Sequence, residues 1–393
     1  MSVSTAVPGF TKPGIFGRAK LWLGPHPLAQ VLTALGLFAF LFWLGANTAA
    51  TMARIGVSPG FGFLRHSANF AIGESVISFA AGDPYLRAIL AGLLNTLKVA
   101  ALGCVFATLL GVAFGVAGLS SNPLLARLVR VYVEGLRNTP LLLQLFFWIA
   151  LAKSLPAPRQ AIDVLGAVFL SNRGVFVPSL SLGELGPVFW GAWAVLLAAL
   201  LAAAFSARGR VLPRGAWMLF AVLLAPLLAA PFAAGGATWQ QPVLQGFNIR
   251  GGWAMTPEFA ALLAGLSVKF SAAIAEIVRA GIQSVSRGQW EAARALGLRP
   301  ASIMRLVVLP QALRVITPLT TSSYLDLIKD SSLAVAIGYP DLVSIINTTA
   351  NTTGQSLEAL TILIGLYLVL NLAASALMNL YNRRVALRGG TMR

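Results

Sequence analysis

The feature that most constrains this chain is a series of long apolar runs separated by short polar connections. A helix needs about 20 consecutive apolar residues to cross the hydrocarbon core of a bilayer. The run at 139–153 is short for a full crossing and is expected to extend or tilt. In all, the runs predict about eight transmembrane helices, at 28–50, 87–117, 139–153, 188–206, 216–235, 257–282, 307–330 and 357–380.

The charge content supports a polytopic membrane protein and argues against a soluble one. Only 10% of the residues are charged, whereas a soluble domain typically carries about 25%. The formal charge of +17 is the kind of excess that nucleic-acid-binding proteins show. However, these cations are clustered between apolar runs and no polar basic domain presents them, so no nucleic-acid partner is expected.

The distribution of the cations predicts the topology. Cytoplasmic connections of membrane proteins carry an excess of Lys and Arg. The clusters rich in Lys and Arg fall in every second connection, and the connections between them carry fewer of these residues. Eight spans fit this alternation and place both termini in the cytoplasm. The rich clusters are Lys12, Arg18 and Lys20; Arg127, Arg130 and Arg137; Arg208, Arg210 and Arg214; Arg287, Arg294, Arg299 and Arg305; and Arg383, Arg384, Arg388 and Arg393.

The chain offers no catalytic or metal-binding constellation. No G-x-x-x-x-G-K-[ST] motif occurs, so the chain cannot build a phosphate-binding loop of its own. Cys104 is the single cysteine, and His26 and His66 have no spaced partners for a metal. We therefore expect no cofactor, no metal and no enzymatic activity, and any chemical energy must come from another subunit or from an ion gradient.

Residues 289–310 interrupt the apolar pattern with "QWEAARALGLRPASIMRLVVLP". Trp290, Ala293 and Leu296 are spaced to share one face of a short helix, and Glu291 and Arg294 can pair on another face. Gly297 can end the helix in the left-handed conformation. The pattern predicts a helix on the cytoplasmic surface, which either docks into a groove of a soluble partner or merely covers lipid headgroups.

This stretch resembles the motif of ABC importer permeases, which reads E-A-A, three residues, G, nine residues, I, one residue, L-P. The chain has Glu291, Ala292 and Ala293, then Gly297, with Val307 in place of Ile, and Leu309-Pro310. The resemblance implies that residues from about 286 to 300 form the coupling helix, in which Trp290, Glu291, Ala292, Ala293, Arg294 and Gly297 meet the ATP-hydrolysing subunit.

Four further segments resemble the permeases for polar amino acids. They are "GLLNTLKVAALGCVFATLLGVAFG" (92–115), "RNTPLLLQLFF" (137–147), "AAIAEIVRAGIQSV" (272–285) and "KDSSLAVAIG" (329–338). The resemblance implies an all-α, type I permease core of five helices in two parts, 86–153 and 256–393. Residues 1–85 would add a cytoplasmic tail, one helix and a periplasmic loop. Residues 154–255 would be an inserted transmembrane hairpin, as in the larger permease subunits of general L-amino-acid importers.

That family membership would also imply the partners. They are a dimer of ATP-binding ABC subunits, a second permease subunit in a heterodimer, a periplasmic amino-acid-binding protein, an amino-acid substrate and the lipid bilayer. The implied location is the bacterial inner membrane, and the implied mechanism is alternating access driven by ATP hydrolysis in the partner.

Charged residues at membrane depth are costly and mark candidate substrate sites. Lys329 and Asp330 end the seventh predicted span and are followed by Ser331 and Ser332. Asp330 is a candidate for the ammonium of an amino acid, Lys329 or Arg137 for its carboxylate, and the two serines for further hydrogen bonds. Alternatively, Asp326 and Lys329, spaced i, i+3, neutralise each other.

The start of the third predicted span is a second candidate. Thr139 is predicted to cap a helix that begins at Pro140, which would place Arg137 beside the positive end of the helix dipole and favour an anion. Arg137 is otherwise a cytoplasmic anchor. Gln144 either faces the translocation path or joins helices.

Three other charged side chains in the spans are read as structural. Lys98 and Lys269 are expected to extend to an interface, and Glu276 is expected to pair with Arg279.

Two other classes of function remain open. A secondary transporter driven by an ion gradient would show repeats between its halves and more acidic residues in its spans. A membrane assembly protein would need neither the surface helix nor the Lys-Asp pair.

Overall fold

The computed structural model describes residues 26–54, 56, 60–181 and 238–387. This part of the chain is mostly helical, as the sequence predicts. The predicted spans at 188–206 and 216–235 lie outside the described residues. The α-helices are α1 (Pro27–Arg54), α2 (Tyr85–Ala117), α3 (Pro123–Asn138), α4 (Leu141–Ser154), α5 (Pro257–Gln283), α6 (Arg287–Ala295), α7 (Pro300–Ile303), α8 (Leu309–Asp330), α9 (Leu342–Thr353) and α10 (Ser356–Leu387).

Five helical segments of the described chain are long and apolar enough to cross a membrane. They agree with the first, second, sixth, seventh and eighth predicted spans. The seventh is longer than predicted because a π-helical turn, Met304–Val308, joins α7 to α8, and a 3-10 helix, Ser331–Ile337, follows α8. The segments are Leu28–Thr51, Tyr85–Ala117, Pro257–Gln283, Pro300–Ile337 and Ser356–Leu380.

The third predicted span corresponds to α4, a short apolar helix that directly follows the charged helix α3. Helix α3 has 16 residues and α4 has 14, which at 1.5 Å per residue gives lengths of about 24 and 21 Å. Neither alone covers the ~30 Å hydrocarbon core. Residues 123–138 were not predicted as part of a span, because Arg127, Arg130 and Arg137 gave them the composition of a cytoplasmic connection.

Helix α5 lies at the centre of the helical packing, in contact with α2, α3, α4 and α8. Glycines allow the close approach of α2. A Cβ atom at Gly111 would lie 2.6 Å from Cβ of Ile274, and one at Gly115 would lie 2.8 Å from the carbonyl oxygen of Ala275. The main hydrophobic cluster is built around α5 and includes Leu266, Ile274 and Leu327.

Eight short strands lie on either side of the undescribed block, and the all-helical prediction contained none of them. A four-stranded antiparallel sheet has the order β1-β2-β3-β8, and two-stranded sheets pair β4 with β5 and β6 with β7. Each has three or four residues, too few to give a clear alternating pattern in the sequence. The strands are β1 (Ile162–Val164), β2 (Val168–Ser171), β3 (Gly174–Val177), β4 (Ser179–Ser181), β5 (Thr238–Gln240), β6 (Val243–Gln245), β7 (Asn248–Arg250) and β8 (Trp253–Met255).

Candidate functional site

Helices α3 and α4 follow one another along α5. The hydroxyl group of Tyr132 in α3 lies 2.7 Å from that of Ser271 in α5. In α4, Leu145 packs against Gly265, where an added Cβ would meet Cδ2 of Leu145 at 2.6 Å. At the far end, Lys153 pairs with Glu258 at 3.5 Å. The break between α3 and α4 therefore lies beside the middle of α5.

Two side chains satisfy the backbone at this break. The ammonium of Lys269 donates to the carbonyl oxygens of Leu136, Arg137 and Thr139 at 2.9, 3.0 and 3.0 Å. The buried amide of Gln144 donates to the carbonyl oxygens of Leu136 and Thr139 at 3.0 and 3.1 Å. The last carbonyl groups of a helix have no partner within the helix, and leaving them unpaired in an apolar setting costs free energy.

The predicted cap of the third span was wrong, because Thr139 does not cap a helix that begins at Pro140. Helix α4 begins at Leu141, after Pro140, and no side chain caps its first turn. The hydroxyl group of Thr139 instead donates back to the carbonyl oxygen of Gly135 at 2.7 Å. Arg137 accordingly lies in the last turn of α3, at the negative end of a helix dipole rather than the positive one.

Lys269 is the residue that sequence reasoning missed at this site. It was expected to extend to an interface, but its ammonium is held at the break, halfway along α5. Its ammonium contacts the backbone carbonyl oxygen of Arg137, one of the predicted substrate-binding residues, at 3.0 Å. Within the described residues, no ion pair joins Lys269 to Asp330. A hint was present in the sequence, because Lys269 is a lone cation in the middle of a span.

The other predicted substrate residues are placed differently. Lys329 pairs with Asp326 at 3.6 Å, and both side chains are more than half exposed. Ser331 is buried, and its hydroxyl group donates to the carbonyl oxygen of Ile328 at 2.7 Å. Ser332 is half-buried in the 3-10 helix that follows α8. The predicted interruption of the helix is present, and it ends at Gly338 in the left-handed conformation.

The second lysine expected at an interface, Lys98, is also held inside the protein. It forms an ion pair and hydrogen bond with Glu74, and its ammonium lies 4.1 Å from the ring centre of Phe259. Glu74 in turn accepts a hydrogen bond from Thr256 at the start of α5. The expectation failed because the acidic partner, Glu74, comes from the loop that precedes α2. It lies 24 residues before Lys98, too far for a local pattern to reveal.

A polar cavity extends from the break toward the C-terminal end of α5. Its volume is about 440 Å³, and its charged lining residues are Arg130, Glu134, Arg137, Glu276 and Arg279. The predicted pair is present, with Nε of Arg279 donating to Oε2 of Glu276 at 3.0 Å. The cavity also reaches Gln283, the last residue of α5.

The coupling segment, residues 286–300, contains the predicted helix as α6. Ala293 is buried and Trp290 packs against the main hydrophobic cluster. Glu291, Ala292 and Arg294 are exposed on the opposite side. Gly297 has φ +70°, the left-handed conformation expected after a helix.

Two details of the coupling segment differ from the prediction. Leu296 is 79% exposed and does not share the buried face, because it follows the last residue of α6. Within the described ranges, no ion pair joins Glu291 to Arg294. Both charges face outward instead.

Comparison with known proteins gives consistent matches over most of the chain. Residues 216–387 match the family described as "Binding-protein-dependent transport system inner membrane component". A putative amino-acid ABC transporter permease protein, YhdX of Escherichia coli (strain K12), is 45% identical over 92% of this chain and 94% of its own length.

Two further relatives are similar over nearly the same extent. The general L-amino acid transport system permease protein AapQ of Rhizobium johnstonii is 42% identical over 91% of both chains. The glutamate/glutamine/aspartate/asparagine transport system permease protein BztB of Rhodobacter capsulatus is 39% identical over 91% of this chain and 93% of its own length. The similarity therefore extends well beyond the residues matched by the family profile.

Proposed function

This chain belongs to the family of amino-acid permeases of ABC importers, and on that premise we propose which residues bind the substrate and which couple transport to ATP. It is a multi-pass inner-membrane protein and the permease subunit of an ABC amino-acid importer. Its family implies an ATPase partner and a substrate-binding protein.

The proposed substrate site is the break between α3 and α4. Interrupted helices inside a membrane protein commonly form binding sites, because their free ends present backbone dipoles to a ligand. The observation that carries the proposal is the set of three backbone carbonyl oxygens at this break, which accept hydrogen bonds from the ammonium of Lys269 at 2.9–3.0 Å. Asp330 would receive the ammonium of the amino acid, and Arg137 its carboxylate.

Three of the remaining candidates have partners within the protein. Lys329 has a partner in Asp326, while Ser331 and Gln144 use their donors on nearby carbonyl groups. We assign Ser331, Ser332 and Gln144 supporting roles, in which they hold the interrupted backbone around the substrate. The cavity lined by Arg130 and Arg279 is the proposed path between this site and the cytoplasm.

The coupling segment is the proposed contact with a separate ATPase subunit. Its exposed residues Glu291, Ala292 and Arg294 would enter a groove of that subunit. Its buried residues would pass the motion to the spans, because Ala293 belongs to the same hydrophobic cluster as Ile282 of α5 and Ala312 of α8. A packed cluster of this kind transmits rigid-body motion rather than absorbing it.

The proposed arrangement of subunits follows from this coupling contact. Two permease subunits would face each other above an ATPase dimer, and the second permease would differ from this chain in the segment 154–255. Both termini and the coupling segment would lie in the cytoplasm. A periplasmic binding protein would deliver the amino acid to the opposite face, and closure of the ATPase dimer would drive alternating access.

The test is ATP-dependent uptake by the complete complex in proteoliposomes, with labelled L-glutamate, L-glutamine, L-aspartate and L-asparagine as probes. Asp330→Asn should lower uptake at least tenfold, since hydrogen bonds to charged groups contribute about 1.5–3 kcal/mol. The matched control is Asp326→Asn on the same helix, which should retain uptake. Normal uptake by Asp330→Asn would remove Asp330 from the site.

A further inference from the structure

The carbonyl oxygens of Leu136, Arg137 and Thr139 form what we name the carbonyl cradle. The ammonium of Lys269 donates to all three at 2.9–3.0 Å. An ammonium group has three donors and no acceptor, so this geometry satisfies it completely. The cradle is therefore a built site for a primary ammonium group.

The charges around the cradle also favour a cation. The cradle lies at the carbonyl end of α3, where the helix dipole is negative. Gln144 donates to two of the three cradle oxygens independently of Lys269. The cradle thus keeps part of its hydrogen bonding when Lys269 moves away.

We propose that Lys269 occupies the position of the substrate's α-ammonium, and that it yields the carbonyl cradle to that group and pairs with the α-carboxylate. This inference rests on the proposed function, because it takes an amino acid as the substrate and the break as its site. It makes Lys269 a determinant of specificity for compounds that carry both groups.

In this exchange the cradle oxygens keep an ammonium partner, and Lys269 gains a carboxylate partner. Before it, the cradle holds the ammonium of Lys269. After it, the cradle and Asp330 hold the ammonium of the substrate, while Lys269 and Arg137 hold its carboxylate. A primary amine without a carboxylate would displace Lys269 and leave that lysine without a partner, which is costly in a site of low dielectric. The site would therefore reject such amines.

A purely structural role for Lys269 predicts something else. If Lys269 only caps α3, its loss should weaken the binding of all ligands in proportion, and so should the loss of Gln144, which caps two of the same carbonyl groups. The preference for a free carboxylate separates the two roles.

The experiment uses the complete wild-type complex in nanodiscs without the soluble binding protein. Its probe is whichever of L-glutamate, L-glutamine, L-aspartate and L-asparagine the complex takes up. The α-methyl ester of that amino acid retains the ammonium and lacks the charged α-carboxylate. Displacement of labelled probe by the free acid should be at least about tenfold stronger than displacement by the ester, because the ester cannot offer Lys269 a charged α-carboxylate.

Lys269→Gln retains two donors for the cradle and removes the charge. It should weaken binding of the free acid and bring acid and ester to within about two- to threefold of each other, whereas Gln144→Leu should retain the tenfold preference. Should Lys269→Gln fail to assemble, Lys269→Met in the same assay gives the same prediction, and Lys269→Arg should keep the preference for the acid because it keeps the charge.

An unchanged acid-to-ester ratio in Lys269→Gln, or loss of the preference in Lys269→Arg, would overturn the inference while leaving the proposed function intact. Absence of ATP-dependent uptake of all four amino acids by the wild-type complex would reject the proposed function, and the inference with it.

Discussion

Two interruptions between helices differ in how their backbone groups are satisfied. They are the break between α3 and α4 and the turn between α6 and α7. At the break, the free carbonyl groups are paired with Lys269 and Gln144. At the turn, Gly297 takes the left-handed conformation, and its amide donates to the carbonyl oxygen of Arg294 at 2.9 Å. The first interruption is satisfied by side chains from inside the protein, and the second by its own backbone.

This difference explains why one interruption suits binding and the other coupling. Inside the helical packing, charged and amide groups have to be supplied for the backbone, and those groups then define a site for a charged ligand. At the turn, the backbone needs no side chain, so Glu291 and Arg294 remain exposed for a partner. Substitutions at the two places should therefore have separable effects.

The largest effect on uptake and stability should come from a bulkier side chain at the contact between α4 and α5, beside the break. Gly265→Val would place a Cβ 2.6 Å from Cδ2 of Leu145 and 3.3 Å from Cδ1 of Trp148. Overpacking of this kind costs about 1–3 kcal/mol, and here it would also displace α4, so both uptake and thermal stability of the complex should fall. Gly288→Ala is the control, because its Cβ would meet nothing within 4 Å. Equal stability of the two variants would contradict close packing of α4 on α5.

The next effect should be confined to coupling. Glu291→Lys reverses an exposed charge, so the stability of the complex should be unchanged, while stimulation of ATPase activity by the loaded binding protein should fall at least fivefold. Glu291→Gln, which keeps the shape and the acceptor oxygen, should lose less. Full stimulation in Glu291→Lys would mean that this surface of α6 does not contact the ATPase.

A smaller effect is expected at the turn itself. Gly297 has φ +70° and open space around its Cβ position, so Gly297→Ala meets a conformational cost of about 1–2 kcal/mol and no steric clash. The turn should loosen, and stimulated ATPase activity should fall by about twofold while amino-acid binding at the break is retained. A loss of binding in Gly297→Ala would show that the two interruptions are not separable.

The smallest effect should appear in the pH dependence of stability, at the segment that follows α8. Burial raises the pKa of Asp341 from 3.8 to about 7, and its Oδ1 caps the first turn of α9 through the amide of Ser344. The folded state then holds a proton that the unfolded state releases between about pH 4 and 7, so stability should decrease as the pH rises through that window.

Thermal unfolding of the complex between pH 5.5 and 7.5 tests this expectation. The wild type should lose stability with rising pH, and Asp341→Asn, which retains the cap and cannot ionise, should lose less. The same slope in both would assign the pH dependence to other groups.

Much of the fold could be predicted because apolar length is a local property. The limits of α1, α2 and α5 were predicted to within four residues and those of α10 to within seven, and the turn at Gly297 was predicted from its residue type. The packing of α3 against α5 could not be predicted, because the charges of α3 resemble those of a loop. The partners of Lys98 and Lys269 lie 24 and more than 100 residues away in sequence, so local patterns assigned both lysines wrongly.

The most direct test of the account is whether α6 meets an ATPase inside the cell. In a Cys104→Ala background, Glu291→Cys introduces a single thiol at the exposed face of the coupling segment. We predict that a short bifunctional cross-linker joins this position to the ATPase subunit, and that a membrane-impermeant thiol reagent added to intact cells does not label it. Labelling from outside the cell, or ATP-dependent uptake without any ATPase subunit, would contradict the account.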